Sequence, residues 1–398
     1  MEEFRPYLES RWRADFDEYL ACIDEYERAN GSGGAASSRP ASGGAGVRDT
    51  EFADGLSDPG VRRRYLDADG IAGEVLFPQG LVPFAPYPAV ATPGGGMPYS
   101  APVELRNEGP KAYNRWLADF CSHDPARHAG VAIVPIRDVD ESVAAVEAAR
   151  AAGLFGGISL PPLTGPDILP YNDPAYDRLW ACCQDLGMTV NMHGGARQSY
   201  GTGPDATALV LAETDWFSHR ALWFLIFSGV FERFPNLHVA MTEQRTHWVG
   251  PLLRELDSIF HSPITGGVRS ILTRLPSEYF ARNCYVGASF MSRLECDDRS
   301  SVGVDRIMWG ADFPHNEGTP PWTEQSLRWT FAGTPAAEVE RMIGLNAAEC
   351  YGFDVGALEA VARNIGPRLD DVLAPIDAPP TDPGVELSWG FRRTGPWS

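Results

Sequence analysis

The feature that most constrains the fold of this chain is an alternation of short apolar segments with helix-forming segments. Seven segments are rich in apolar residues, and each is followed by a helical pattern or a long loop. They span residues 74–78, 129–135, 156–161, 188–193, 237–243, 283–287 and 306–312. Alternation of this kind predicts a parallel sheet covered by helices. Several segments are apolar at every position, as strands buried on both faces require.

We therefore predict an α/β fold, a (β/α)8 TIM barrel over residues 61–365, whose first strand is absent or replaced because only seven strands are found. A doubly wound sheet is the alternative. No GxGxxG motif follows the first strand, and the number of βα units is large for one open sheet. Residues 1–60 are predicted to form a helical segment with a flexible Gly/Ser loop at 31–46, and residues 366–398 an extended tail.

Composition excludes several classes of partner. The net charge of −20 over 398 residues argues against binding to nucleic acid or to an anionic membrane. No apolar run approaches the length of about 18 residues that a transmembrane helix needs. The seven cysteines have no CxxC spacing. They indicate reduced thiols in a cytoplasmic protein.

Three residues with side chains that can bind a metal lie at the ends of three different predicted strands. His193 ends one strand, Glu243 another, and Asp312 follows the last apolar run. In a barrel the carboxyl ends of all strands meet at one mouth, where the chemistry takes place. Imidazole and carboxylate together suit one divalent metal, with Zn expected and Mn or Fe as alternatives. The competing interpretation is structural, with Asp312 capping a turn and His193 a satisfied core histidine.

Other polar and aromatic residues lie just beyond the strand ends and are candidates for substrate binding. Arg197 and Arg245 can each pair with a substrate carboxylate, although surface salt bridges explain them equally well. His247 and His315 follow the same strand ends as Glu243 and Asp312. Trp248 can stack on an aromatic substrate, although packing in the core is the commoner role of tryptophan.

The chain resembles a known family in several stretches. The matching stretches are 73–78, 113–120, 173–176, 191–193, 227–235, 309–315 and 346–353. They are similar to the amidohydrolase-related family, the branch of metal-dependent TIM barrels that includes aminocarboxymuconate-semialdehyde decarboxylase and the resorcylate-type decarboxylases. The resemblance implies that His193 is a metal ligand and that Asp312 is a ligand or general acid/base. Glu243 stands where many members of the family have a histidine near the metal. The resemblance implies that Glu243 contacts either the metal or the substrate.

One departure from the family concerns its first strand. That strand ends in a motif such as His-x-His or Asp-x-His and supplies one or two metal ligands. Nothing before Glu74 matches this motif, and the first histidine of the chain is His123. We therefore expect the first strand and its ligands to be missing, by a downstream start or a truncation. The metal could then be absent from this chain.

The resemblance and the strand-end residues together predict a metal-dependent decarboxylase or hydrolase of a small aromatic or enolic carboxylic acid. Asp312 would move the proton, and Glu243 would act beside it. The alternative is a degenerate, metal-free barrel that binds a ligand or a partner without turnover. A barrel that lacks a strand exposes two edges unless an N-terminal segment or a partner covers them. We also predict a homodimer.

Overall fold

The computed structural model describes residues 2–30, 55–78, 82–84, 101–161, 168–193, 203–393 and 395. The chain divides into two compact units, each built from several stretches of sequence. The first unit comprises Met1–Gly43, Val75–Pro125 and Ala129–Val230. The second unit comprises Gly44–Glu74, Ala126–His128 and Phe231–Ser398.

Each of the seven predicted apolar segments contains a strand. The segment at 129–135 is divided into two strands, so that the described residues hold eight. In chain order the strands are β1 (Glu74–Leu76), β2 (His128–Gly130), β3 (Ala132–Ile133), β4 (Ile158–Leu160), β5 (Val190–His193), β6 (Val239–Thr242), β7 (Cys284–Ser289) and β8 (Ile307–Gly310). The prediction of strands in these places is confirmed.

Helices separate most of these strands. In chain order they are α1 (Arg13–Asn30), α2 (Pro59–Ala68), α3 (Val103–Ser122), α4 (Val139–Ala151), α5 (Asp177–Leu186), α6 (Ala206–Phe227), α7 (Val230–Arg233), α8 (Val249–His261), α9 (Pro276–Asn283), α10 (Arg293–Asp297), α11 (Arg299–Val302), α12 (Thr323–Phe331), α13 (Ala336–Glu340), α14 (Asn346–Tyr351), α15 (Val355–Ile365) and α16 (Leu369–Leu373). A π-helical turn covers Arg341–Leu345, and short 3-10 turns cover Glu2–Tyr7, Ser10–Trp12, Pro174–Tyr176, Pro263–Ser270, Val304–Arg306, Val385–Leu387 and Trp389–Phe391.

The first unit contains a run of parallel strands. Strand β3 pairs with β4, and β4 pairs with β5, both in parallel. The side-chain amide of Asn114 on α3 pairs with the backbone N–H and C=O of Ile133, both at 2.9 Å. It thereby takes the place of a neighbouring strand for that residue of β3.

The second unit contains a second parallel run. Strand β6 pairs with β7, with Ala240 opposite Tyr285, and β7 pairs with β8, with Gly287 opposite Met308. Met241 and Ile307 are fully buried. Because these strands run in parallel, their carboxyl ends lie at the same edge. The α/β class with parallel strands is confirmed.

Local sequence determines where several helices begin and end. Asp58 accepts hydrogen bonds from the backbone N–H groups of Gly60 and Val61, and so caps α2, whose first residue is Pro59. Gly187 ends α5 with a left-handed backbone, φ 65°. Strands β1 and β5 follow the C-terminal ends of these two helices after short turns.

The C-terminal segment is predicted to be extended, and the structure adds the short helix α16 and two 3-10 turns to it. No helix in the described part of the chain combines the length and apolar character needed to cross a membrane. All seven cysteines, each among the described residues, are thiols rather than disulfides.

Candidate metal centre

Unusual backbone conformations mark the carboxyl edge of the second unit's strands. Four residues that are not glycine have left-handed φ angles there: Glu243 at 54°, Arg245 at 55°, Phe290 at 44° and Asp312 at 61°. They follow the ends of β6, β7 and β8. Such conformations cost about 1–3 kcal/mol each and persist only where surrounding contacts enforce them, as at functional sites. This edge of the strands is therefore the candidate location of a functional site.

Glu243, Asp312 and His315 lie together at this edge. One ligand atom from each lies within 4.8 Å of the others. Nδ1 of His315 is 3.1 Å from both carboxylate oxygens of Asp312. The backbone N–H of His315 also donates to the Asp312 carbonyl, at 3.0 Å, so that a tight turn presents both side chains to the same point.

The two carboxylates and the imidazole compete for protons. Burial raises the pKa of Asp312, and the neighbouring Glu243 carboxylate raises it further; His315 offsets part of this, and the result is about 7. Burial lowers the pKa of His315, but its hydrogen bond to Asp312 and the charges of Asp312, Glu243 and Glu317 raise it to about 10. The cluster therefore shares a proton near neutral pH, because two buried carboxylates held this close together repel each other when both are charged.

The same cluster fits a divalent metal ion. Two carboxylates and one imidazole supply oxygen and nitrogen donors, the set that suits Zn, Mn and Fe. A cation among them would offset the repulsion between the Glu243 and Asp312 carboxylates, which adds to burial in raising the pKa of Asp312. The residues present thus fit the metal that the sequence predicts, and His315, predicted as a substrate contact, lies among its candidate ligands.

A buried ion pair supports the turn that carries Asp312. The guanidinium carbon of Arg62 lies over the ring of Phe313, 3.8 Å from its centroid. Nε of Arg62 is 2.9 and 3.1 Å from the two carboxylate oxygens of Glu74, and Tyr65 contacts the Phe313 ring at 5.9 Å between centroids. The residue next to Asp312 is therefore held against a cation that is itself fixed in place.

Glu74 is the centre of this support. Oε1 of Glu74 is also 3.0 Å from Nδ1 of His128, whose side chain is 1% exposed. Burial alone would raise the pKa of Glu74, but the charge of Arg62 and the hydrogen bonds from His128 and Arg62 outweigh it and lower the pKa to about 2. None of Arg62, Glu74 and His128 is predicted from the sequence to support the site. A glutamate at the start of an otherwise apolar strand was the one local signal.

The predicted substrate residues after β6 are well packed. Arg245 is 4% exposed and Trp248 7%. Nε1 of Trp248 donates to the carbonyls of Gln244, at 2.7 Å, and Arg245, at 3.1 Å. His247 is half-buried in the same turn. Trp248 thus holds the turn that follows Glu243, and the predicted contacts of Arg245, His247 and Trp248 with substrate stay predictions.

Two predicted residues belong to the first unit's sequence. His193 is the last residue of β5, and its ring lies 5.7 Å from that of Phe77, between centroids. Its role as a metal ligand stays a prediction. Arg197 lies outside the described residues.

Solved structures resemble this fold. A 5-carboxyvanillate decarboxylase from Novosphingobium aromaticivorans, solved with manganese and a nitrobenzoic acid, has a TM-score of 0.63 and 19% identity, over 85% of this chain and 94% of that one. A dihydroxybenzoic acid decarboxylase from Polaromonas, solved with manganese and 2-nitroresorcinol, has a TM-score of 0.56 and 18% identity, over 77% and 90%. An amidohydrolase from Mycobacterium avium subsp. paratuberculosis has a TM-score of 0.59 and 21% identity, over 76% and 75%.

The family comparison covers most of the sequence. Comparison with curated protein sequences finds no match. A family model described as amidohydrolase matches residues 82–353, more than half of the chain, and includes Glu243, Asp312 and His315. Together with the parallel α/β fold of its neighbours, this agrees with the predicted TIM-barrel class. The chain belongs to the amidohydrolase family.

Proposed function

We propose that this chain is a metal-dependent decarboxylase of a small aromatic or enolic carboxylic acid. The observation that carries the proposal is the cluster of Glu243, Asp312 and His315, whose ligand atoms lie within 4.8 Å of one another at a strained strand edge. The manganese-containing decarboxylases among the structural neighbours support the choice of reaction.

The cluster would hold one divalent metal, with Mn²⁺ and Zn²⁺ the first ions to test. When bound, such an ion supplies positive charge to the substrate's carboxylate or neighbouring hydroxyl oxygen. We propose His193 as an additional ligand, on the resemblance to the family rather than on geometry.

Asp312 is the proposed proton carrier. In decarboxylation the bond between the ring carbon and the carboxylate breaks, CO₂ leaves, and the electron pair left on the carbon takes a proton. The carboxylate of Asp312 is buried and both of its oxygens lie 3.1 Å from Nδ1 of His315, so a proton can pass between the two groups. His315, hydrogen-bonded to Asp312, is placed to return the proton afterwards.

Arg245 and Arg197 are proposed to pair with a substrate carboxylate, His247 to contact the substrate, and Trp248 to border the ring. Of these, Arg245, His247 and Trp248 lie in the turn that follows Glu243. A homodimer and a cytoplasmic location are further proposals, and size-exclusion chromatography with light scattering tests the first.

The test is turnover of aromatic acids in D₂O. Protein stripped with a chelator and reloaded with Mn²⁺ or Zn²⁺ is incubated with 2,6-dihydroxybenzoate or 5-carboxyvanillate. We expect release of CO₂ and one deuterium on the ring carbon, with both lost in Asp312→Asn. A metal-loaded protein that releases no CO₂ from such acids would contradict the proposal.

A hydrolase is the second candidate, because the matching family model is that of an amidohydrolase. Hydrolysis puts solvent oxygen into the product and releases no CO₂. Running the same assay in H₂¹⁸O with an ester or amide of an aromatic acid separates the two reactions. A protein that binds a ligand but no metal would favour the degenerate barrel instead.

A further inference from the structure

The carboxylate of Glu295 joins separate parts of the second unit. The residue is 6% exposed and lies in α10, just after β7. Glu295 accepts hydrogen bonds from the backbone N–H of Thr246 at 2.9 Å and its hydroxyl at 3.2 Å. It also accepts from the N–H and hydroxyl of Ser292, both at 2.9 Å. A cation beside a buried carboxylate of this kind stabilises its charge further, and removing that cation is costly.

That cation comes from the C-terminal segment. Arg392 is 4% exposed, and its Nη2 donates to Oε2 of Glu295 at 2.8 Å and to the carbonyl of Phe290 at 3.0 Å. Its guanidinium carbon lies 5.3 Å from the Phe290 ring centroid. Arg392 therefore satisfies the buried charge and also contacts one of the strained residues that follow β7.

Neighbouring residues dock the same segment, which we call the C-terminal strap (Trp389–Arg392). The backbone N–H of Trp389 donates to the carbonyl of Glu317 at 2.9 Å, and its ring meets that of Phe290 edge-on at 5.4 Å. A Cβ added to Gly390 would lie 2.4 Å from Oγ of Ser326. The strap is therefore packed closely against α12 and against the loops that follow β7 and β8.

Glu295 connects the strap to the candidate metal centre. Thr246 lies three residues after Glu243, in the turn where Glu243 and Arg245 both have left-handed φ angles. A strained turn of this kind keeps its shape only when contacts at both ends hold it. Strand β6 holds one end, the indole N–H of Trp248 holds the carbonyls of Gln244 and Arg245, and Glu295 holds Thr246.

We propose that Arg392 is a positioning residue for Glu243. By neutralising Glu295 it fixes Thr246 and with it the turn that aims the Glu243 carboxylate at Asp312 and His315. Residues that support metal ligands typically change metal affinity about 10–100-fold when mutated. The effect on affinity rests on the metal site proposed above, whereas the effect on the turn does not.

The experiment compares Arg392→Gln with Arg393→Gln. Both remove one positive charge from adjacent positions, but Arg393 is exposed and its guanidinium carbon lies over the ring of Trp329, 5.0 Å from the centroid. Calorimetric titration of chelator-stripped protein with Mn²⁺ gives Kd, and hydrogen exchange with mass spectrometry follows the peptide that contains Thr246. Circular dichroism checks that each variant is folded.

We expect Kd for Mn²⁺ to rise about 10–100-fold in Arg392→Gln and to stay at the wild-type value in Arg393→Gln. Exchange at the Thr246 peptide should accelerate about tenfold in Arg392→Gln alone, the equivalent of one lost hydrogen bond to a charged group. Unchanged exchange at this peptide in folded Arg392→Gln overturns the proposal.

Two further outcomes are separable. If the wild-type protein binds no Mn²⁺, the proposed function fails, while hydrogen exchange still decides the role of Arg392. If Arg392→Gln does not fold, Arg392→Lys decides, because lysine keeps a cation beside Glu295 but cannot make both hydrogen bonds in the same geometry. Exchange about threefold faster than in the wild type supports the proposal, and wild-type exchange refutes it.

Discussion

Replacing Glu74 by glutamine tests the buried support beneath the Asp312 turn. The variant keeps the shape of the side chain but leaves the guanidinium of Arg62, 6% exposed, without its carboxylate. The lowering of the Glu74 pKa from 4.5 to about 2 corresponds to about 3 kcal/mol of folding free energy at neutral pH. Removing one partner of a buried ion pair typically costs about 3–5 kcal/mol, which is the same size.

The sign of the pH dependence follows from the direction of the shift. A carboxyl group whose folded pKa is lowered stabilises the fold above its unfolded pKa, here 4.5. That stability is lost as the pH falls from 4.5 towards 2. Glutamine does not titrate, so the wild-type protein should approach the variant in acid. The difference should shrink by about 2 kcal/mol between pH 7 and pH 3.

Urea unfolding followed by tryptophan fluorescence measures both effects. Glu141→Gln is the matched control, because Glu141 pairs with Lys111 at 3.1 Å with both side chains more than 40% exposed. We expect it to change the free energy of unfolding by less than about 1 kcal/mol. The reasoning would be refuted if Glu74→Gln also lowered the free energy of unfolding by less than about 1 kcal/mol. It would also be refuted if the difference between the wild type and Glu74→Gln were as large at pH 3 as at pH 7.

Two other predictions concern the metal centre. Phe313→Leu removes the ring that stacks on Arg62 and should weaken Mn²⁺ binding about tenfold in calorimetric titration. The control Tyr65→Phe keeps its ring beside Phe313 and should bind Mn²⁺ as tightly as the wild type. Equal affinities in the two variants would contradict the role of the stack. The pKa of Asp312 is raised to about 7 and that of His315 to about 10, so protons compete with the metal for both groups. The affinity for Mn²⁺ should therefore increase from pH 6 to pH 8. An affinity that does not change with pH would show that neither group binds the ion.

The fold class was accessible from sequence because it depends on local patterns. Apolar runs such as 237–243 and 306–312 differ from the helices between them in period and length, and chain order alone then implies a parallel sheet. Helix boundaries were less accessible. The apolar segment at 218–234, for example, is divided between α6, which begins at Ala206, and the short α7.

Only those residues of the candidate site that directly follow a strand could be predicted from the sequence. Glu243 and Asp312 were selected because each ends an apolar run, and the structure brings them together with His315. The residues that hold these side chains were missed. Arg62 and Glu74 meet through tertiary packing, and Glu295 meets Arg392 across 97 positions of sequence. The periodicity of a sequence carries no information about such pairs. For this reason the sequence analysis predicts only an extended tail at 366–398, whereas we assign Arg392 in that tail to the support of the site.

Metal content tests the central claim most directly. Purified wild-type protein, loaded with Mn²⁺ or Zn²⁺ and freed of excess ion by gel filtration, is analysed by mass spectrometry for bound metal beside Asp312→Asn and His193→Ala. We predict about one divalent ion per chain in the wild type. Asp312→Asn should retain almost none while keeping a wild-type circular dichroism spectrum, and His193→Ala should lose metal if it is the additional ligand. A wild-type chain that retains no metal, or an Asp312→Asn variant that retains as much, would contradict the account.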